Sequence, residues 1–121
     1  MKFIKKFVNK YFSNDMDVFA DRLGYCTWSE AKADTFHIFI QPPDLDWYIT
    51  KLPDNSWAVW NEEGYSPFAF QIFPTWYEAI RTLRNVFEEG NIPEEYWGPE
   101  GYENGDDPFS KLPDKSKKIK F

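Results

Sequence analysis

Cysteine occurs once in this chain, at Cys26, and histidine once, at His37. A single thiol cannot close an intramolecular disulfide, so the sequence points to a reducing, cytoplasmic location. One Cys and one His also fall short of the three or four ligands that a zinc site requires, and no metal or cofactor is expected. Glycine is sparse, at 6 residues, and no glycine-rich phosphate loop, nucleophile elbow or dinucleotide fingerprint occurs. No apolar run approaches the roughly 20 residues that cross a bilayer. The lysines of the N-terminus are followed by neither an apolar core nor a small-residue cleavage site, so no export signal is expected there.

What the chain has in abundance is aromatic side chain. Phe, Tyr and Trp supply 21% of its 121 residues, within a hydrophobic content of 42%. That composition and length suit one packed domain with one core. The reading is a single α+β domain over residues 1–90, followed by a Pro- and Gly-rich acidic tail over 91–121 that ends in a basic segment and packs in part on the domain.

The formal charge of −6 is unevenly distributed. Residues 1–13 carry four lysines and no acid, residues 14–90 hold 13 acids against 5 bases, residues 91–110 hold six acids and no base, and the last eleven residues hold five lysines and one acid. Basic ends thus flank an acidic body. Direct nucleic-acid binding is disfavoured, because Lys and Arg contacts to phosphate supply most of the affinity in that class. A protein partner with a basic surface is favoured.

Periodicity divides the chain. Phe3, Ile4, Phe7, Val8, Tyr11 and Phe12 form one apolar stripe of an amphipathic helix edged by lysines. The expectation is that it covers a sheet of its own domain; the alternative is a membrane-surface anchor, which an acidic body opposes. A second helix is expected from about Asp15 to Leu23, capped by Ser13 or Asn14 and stopped by Gly24. Ser29 and Glu30 could open one further turn. Strands follow at Thr35 to Gln41, Asp46 to Leu52, Trp57 to Asn61 and Phe68 to Phe73, with Pro53-Asp54-Asn55-Ser56 as a hairpin turn. With Asp54 and Asn55 as the loop, Leu52 would pair with Trp57, placing Tyr48, Thr50, Leu52, Trp57 and Val59 on one face and Trp47, Ile49, Ala58 and Trp60 on the other. Both faces are apolar, so both need cover. Thr75 and Glu78 form a capping box that opens a helix running to Glu89 and stopping at Gly90. The architecture is therefore a small antiparallel meander of three or four strands packed between an N-terminal amphipathic helix and a C-terminal helix. Ile92, Tyr96, Trp97, Tyr102 and Phe109 are apolar anchors that would hold the first half of the tail to the domain. Lys51-Leu52-Pro53-Asp54 recurs as Lys111-Leu112-Pro113-Asp114, but nothing around the two copies aligns.

Candidate chemistry is thin. His37 sits inside a strand, where a hydrogen-bonded structural role is the plainer reading. Cys26 has no basic sequence neighbour or helix N-terminus to activate its thiol. Asp44 and Asp46 resemble part of a calcium loop whose other ligands and glycine are missing. No catalytic residue is assigned. The leading expectation is a non-catalytic acidic protein-binding module, an inhibitor or antagonist of the immunity or virus-encoded counter-defence type, which occupies a basic surface of a nucleic-acid-handling enzyme. Clustered carboxylates steer toward such a surface and aromatic rings anchor on it. The candidate acids are Glu94, Glu95, Glu100, Glu103, Asp106 and Asp107, with Tyr96, Trp97 and Tyr102 as anchors and Tyr48 and Trp60 as a second aromatic surface. The alternative is a small ligand-binding domain or hydrolase, with paired carboxylates in a pocket lined by Trp47, Tyr48, Trp57 and Trp60.

Overall fold

The computed structural model describes residues 15–93, 102 and 106–113, and the fold is α+β. Within those residues three helices flank a four-stranded antiparallel sheet. The helices are α1 (residues 15–23), α2 (Trp28–Ala33) and α3 (Trp76–Glu89); the strands are β1 (Thr35–Gln41), β2 (Leu45–Lys51), β3 (Trp57–Asn61) and β4 (Phe70–Phe73). The strands run β1-β2-β3-β4 across the sheet, so each pairs with its sequence neighbour, as short connections favour. The amphipathic stripe expected from Phe3 to Phe12 and the candidate caps Ser13 and Asn14 lie outside the described residues.

Helix α1 turns Phe19, Ala20 and Leu23 into the core and ends at Gly24, whose φ of 96° is open to glycine at little cost. Helix α2 is longer than the single turn expected from Ser29 and Glu30. Thr27 caps it by accepting from the Glu30 backbone N–H, and Ala31 seats it in the core. At the other end of the chain Thr75 caps α3 as expected, its Oγ1 accepting from the Glu78 N–H at 3.2 Å while the Glu78 carboxylate returns to the same hydroxyl. The stripe Trp76, Ala79, Ile80, Leu83 and Phe87 is buried, and Gly90 closes the helix.

The hairpin between β2 and β3 corrects the expected register. Lys51, not Leu52, pairs with Trp57. The reason lies in the turn: Asn55 donates its N–H to the Leu52 carbonyl and adopts φ 71°, while Leu52 donates to the Ser56 carbonyl. Pro53 and Asp54 thereby become the turn centre and Asn55 the left-handed residue after it, a three-residue connection with a bulge. Moving the register by one residue transfers all of β3 to the opposite face. Trp57 and Val59 therefore join Ile49, and Trp60 and Ala58 join Tyr48 and Leu52.

Two cores result, one on each face of the sheet. Against α3 pack Phe36, Ile38, Phe39, Ile49, Trp57 and Val59. An irregularity in the β1 to β2 pairing between His37 and Phe39 lets Ile38 and Phe39 both turn to this side. Against α1 and α2 pack Tyr48, Leu52, Ala58 and Trp60, with Phe19 in edge contact with Trp60 at 4.7 Å. Phe68, expected to begin β4, instead lays its ring on Trp60 at 5.8 Å, and the strand starts at Phe70. The second face is thus covered within the described residues by α1, α2 and Phe68.

Candidate functional site

The tail residues assigned to partner binding separate into two groups. Glu94, Glu95, Tyr96, Trp97, Glu100 and Glu103 lie outside the described residues. Tyr102, Asp106 and Asp107 are described, and each has work within the chain. The Tyr102 ring stacks on Trp76 at 6.3 Å and packs against the α3 core, with its hydroxyl buried and without a hydrogen-bond partner among the described residues. Burial holds that phenol well above the usual tyrosine range. The Trp76 indole donates to the Pro108 carbonyl at 2.6 Å, and the Arg84 guanidinium lies 4.9 Å from the Phe109 ring centroid. Asp106 pairs with Lys111 at 3.1 Å, while Asp107 accepts the Phe109 N–H at 2.9 Å and shapes the turn. Tyr102 and Phe109 thus pack against the α3 core.

Tyr48 and Trp60, read from sequence as a second aromatic surface, are core residues at 5% and 2% exposure and stack on each other at 4.5 Å. Trp57 is buried as well. Trp47 packs against the same core as Trp57, partly buried, so the four rings expected to line a ligand pocket are engaged in packing. The Tyr48 hydroxyl reaches the edge of the core and donates to Glu62 at 3.0 Å; burial, with the Glu62 charge adding, raises its pKa well above the usual range. Tyr25 is raised in the same way, by burial first and then by its hydrogen bond to Asp34.

His37 is hydrogen-bonded within the sheet. Its Nε2 lies 2.8 Å from Asp46 Oδ1 across the β1 to β2 pair, and its ring meets Tyr48 at 5.5 Å. Cys26 is exposed. Among the described residues no three His, Cys, Asp or Glu side chains come together to hold a metal ion, and no helix is long and apolar enough to cross a membrane.

The folded chain brings together two features that linear reading does not. One is a groove of about 510 Å³ between β1 and the end of α3, lined by His37, Ile38, Phe39, Ile40 and Pro42 on one side and by Gly90, Asn91, Ile92 and Pro93 on the other. Among the described residues that line it, His37 is the one titratable group and the rest are largely apolar, so the groove is suited to hold apolar matter. The other is an acidic end of the sheet. Gln41 pairs with Leu45, Trp47 with Asn61 and Trp60 with Phe70, which sets the β1–β2 turn and the β3–β4 loop side by side. Those two connections and the start of β2 carry Asp44, Asp46, Glu62 and Glu63, and residues 41–46 and 61–70 contain no Lys or Arg. Ser66 donates to the Asp15 carbonyl at 2.9 Å and brings the start of α1 to the same end. At the opposite end the cations return: Lys51 closes β2, and Gly24, two residues beyond Arg22, lies beside Pro53, where an added Cβ would come within 3.5 Å of the proline ring. Sequence reading sought the acids as one consecutive run, so it missed a cluster assembled from two separate loops. The exposed Ile40 was the available signal for the groove, since TFHIFIQ is apolar on both sides of a strand.

No family model, curated protein or solved structure matches this chain.

Proposed function

We propose that this chain is a non-catalytic, acidic protein-binding module acting in the cytoplasm, which engages a basic surface on a partner and, by occupying it, inhibits or antagonises a nucleic-acid-handling enzyme. The observation that carries the reading is the acidic end of the sheet, where two adjacent connections and the start of β2 hold four carboxylates and no Lys or Arg. Such a one-signed surface raises the encounter rate with a cationic partner and disfavours phosphate. Glu94, Glu95, Glu100 and Glu103 extend the same charge along the sequence and belong to the proposed contact, with Tyr96 and Trp97 as anchors.

The test is affinity capture from a lysate of the source cells at increasing salt, followed by association kinetics with the captured protein. One dominant partner is expected, released as salt rises through the range where the Debye length shortens below about 8 Å. Asp44→Asn with Glu63→Gln, and separately the four tail substitutions Glu94→Gln, Glu95→Gln, Glu100→Gln and Glu103→Gln, should slow association while leaving thermal unfolding unchanged. Association indifferent to salt and to both sets would remove charge as the basis of recognition.

A further inference from the structure

We propose that the groove beside β1 docks an extended, basic polypeptide segment that adds to the outer edge of β1 as a further strand. This rests on the basic-partner reading above and assigns that contact a place and a backbone geometry.

The sheet order leaves β1 at one edge, and among the described residues no strand pairs with its outer side. An edge strand presents a row of backbone N–H and C=O groups that a second chain can satisfy. Two of the grooves beside the sheet differ in kind. The one lined by Trp47, Val59, Asn61 and Gln71 draws on three strands and so lies across the sheet surface. The 510 Å³ groove takes four residues from β1, Pro42 just beyond it, and the rest from Gly90 to Pro93, so it runs along one strand with a wall opposite. That is the shape an added strand needs: backbone against β1, and alternate side chains directed toward Asn91 and Ile92. Ile40, at 54% exposure, supplies an apolar contact inside it. The opposite edge offers only the four residues of β4.

Charge selects the occupant. Glu88 and Glu89 are exposed at the end of α3, immediately before Gly90 in the far wall, and Asp44 is exposed just beyond Pro42 in the near wall. Glu88 also pairs with Arg84 at 3.0 Å. Asp46 adds a carboxylate behind His37. A segment bearing Lys or Arg meets carboxylates along both walls, whereas an acidic segment is repelled from both. The irregularity between His37 and Phe39 interrupts the ladder on β1, so the contact is short and the affinity weak.

The probe is an acetylated, amidated peptide of alternating Lys and Val, titrated into the full chain while backbone amide resonances are followed. Shifts are expected at residues 37–42 and 90–93 and not at 70–73. Methylating the peptide nitrogens on one side of its strand should weaken binding about tenfold while methylation on the other side should not, as expected when one or two backbone hydrogen bonds are lost. Ile40→Lys should weaken it by a similar factor, with the melting temperature unchanged because the side chain is exposed. The same peptide with Glu for Lys should not bind. Salt-sensitive binding that ignores both nitrogen methylation and Ile40→Lys overturns strand docking while leaving the basic-partner reading intact. Equal binding of the Lys and Glu peptides at β1 overturns the charge selection on which both rest. No binding of the Lys peptide at low salt, shifts confined to β4, or concentration-dependent shifts at 37–42 without any peptide each overturn the proposal, the last in favour of a second copy of the chain.

Discussion

Against α3 the sheet presents Phe36, Ile38, Phe39, Ile49, Trp57 and Val59, all apolar; against α1 and α2 it presents Tyr48, Leu52, Ala58 and Trp60 together with Thr35 and Thr50, both fully buried. The two threonines are partners across β1 and β2, and they form a relay in which every donor is used. The Trp60 indole donates to Thr50 Oγ1 at 2.9 Å, the threonine oxygens lie 2.7 Å apart, and Thr35 donates to the Ala31 carbonyl at 2.8 Å. Since Thr35 spends its proton on Ala31, Thr50 must be the donor between the two hydroxyls. The relay ties β3, β2, β1 and α2 together, which is how a six-residue helix holds its place. The sheet residues of one face are therefore held by packing and those of the other by packing plus direction, and the two should fail differently.

The largest effects come from removing the central ring of each face. Trp57→Ala and Trp60→Ala should each destabilise by about 3–5 kcal/mol in chemical denaturation, with the Trp60 variant at the upper end because it also breaks the relay. The milder pair separates the faces more cleanly. Trp57→Phe should cost less than Trp60→Phe by about 1 kcal/mol, the worth of a hydrogen bond. Equal losses for the two Phe variants would mean that the indole-to-threonine bond contributes nothing.

Thr50→Val comes next. It conserves shape but leaves the Trp60 N–H without its acceptor, so a loss of about 1–3 kcal/mol is expected. The reverse change on the dry face, Val59→Thr, should cost a similar amount by burying a hydroxyl, Val59 being 5% exposed. A neutral Thr50→Val would show the relay to be ornamental.

Much of this fold was legible in the sequence, for reasons that particular residues make plain. Thr35 to Gln41 and Trp57 to Asn61 were read with the bounds they have, because β-branched and aromatic runs end there in proline or turn residues. The capping pattern at Thr75 and Glu78 located α3. What escaped was the hairpin register, since Pro53-Asp54-Asn55-Ser56 is compatible with a two- or a three-residue loop, and the choice shows only in the backbone, where Asn55 is left-handed, Asp54 is not, and Leu52 bonds to Asn55 and Ser56. The faces followed the register, so the assignment of Trp57 and Trp60 inverted with it. The candidate site was less legible still. A groove depends on which strand is left at the edge, and an acidic end depends on which loops the ladder sets side by side, and both are properties of pairing rather than of local pattern. The Tyr102 ring suits a domain or a partner equally in sequence, and it packs on the α3 core.

A smaller effect is expected at the start of the dry face's helix. Thr75→Ala removes the acceptor for the Glu78 N–H and should lower stability by about 1 kcal/mol, visible as a modest shift in melting temperature. Because α3 lies on one face only, the loss should add to that of Thr50→Val without coupling. A coupling clearly different from zero would mean that the faces communicate through the sheet.

The smallest effect concerns the residue that decides which face is which. Asp54 Oδ1 accepts from the Ser56 N–H at 2.9 Å and from the Ser56 hydroxyl, and these bonds hold its carboxyl below the usual aspartate value. A lowered folded-state value means that the contribution is present above the unfolded value near about pH 4 and is lost as pH falls through the folded one. Asp54 is fully exposed to solvent, so the change in stability along that acid limb will be slight. Its consequence for structure is not, because the three-residue connection is what places Lys51 opposite Trp57. On titration by NMR the Asp54 carboxyl should have a midpoint below that of an unfolded-chain aspartate, and the Ser56 amide resonance should move with the same midpoint. Asp54→Ala should abolish that coupled shift and broaden resonances of Lys51, Leu52 and Trp57, as expected when two registers compete. An Asp54→Ala spectrum as sharp as that of the parent chain would assign the register to the packing of Trp57 and Trp60 on their separate faces, with the turn merely following.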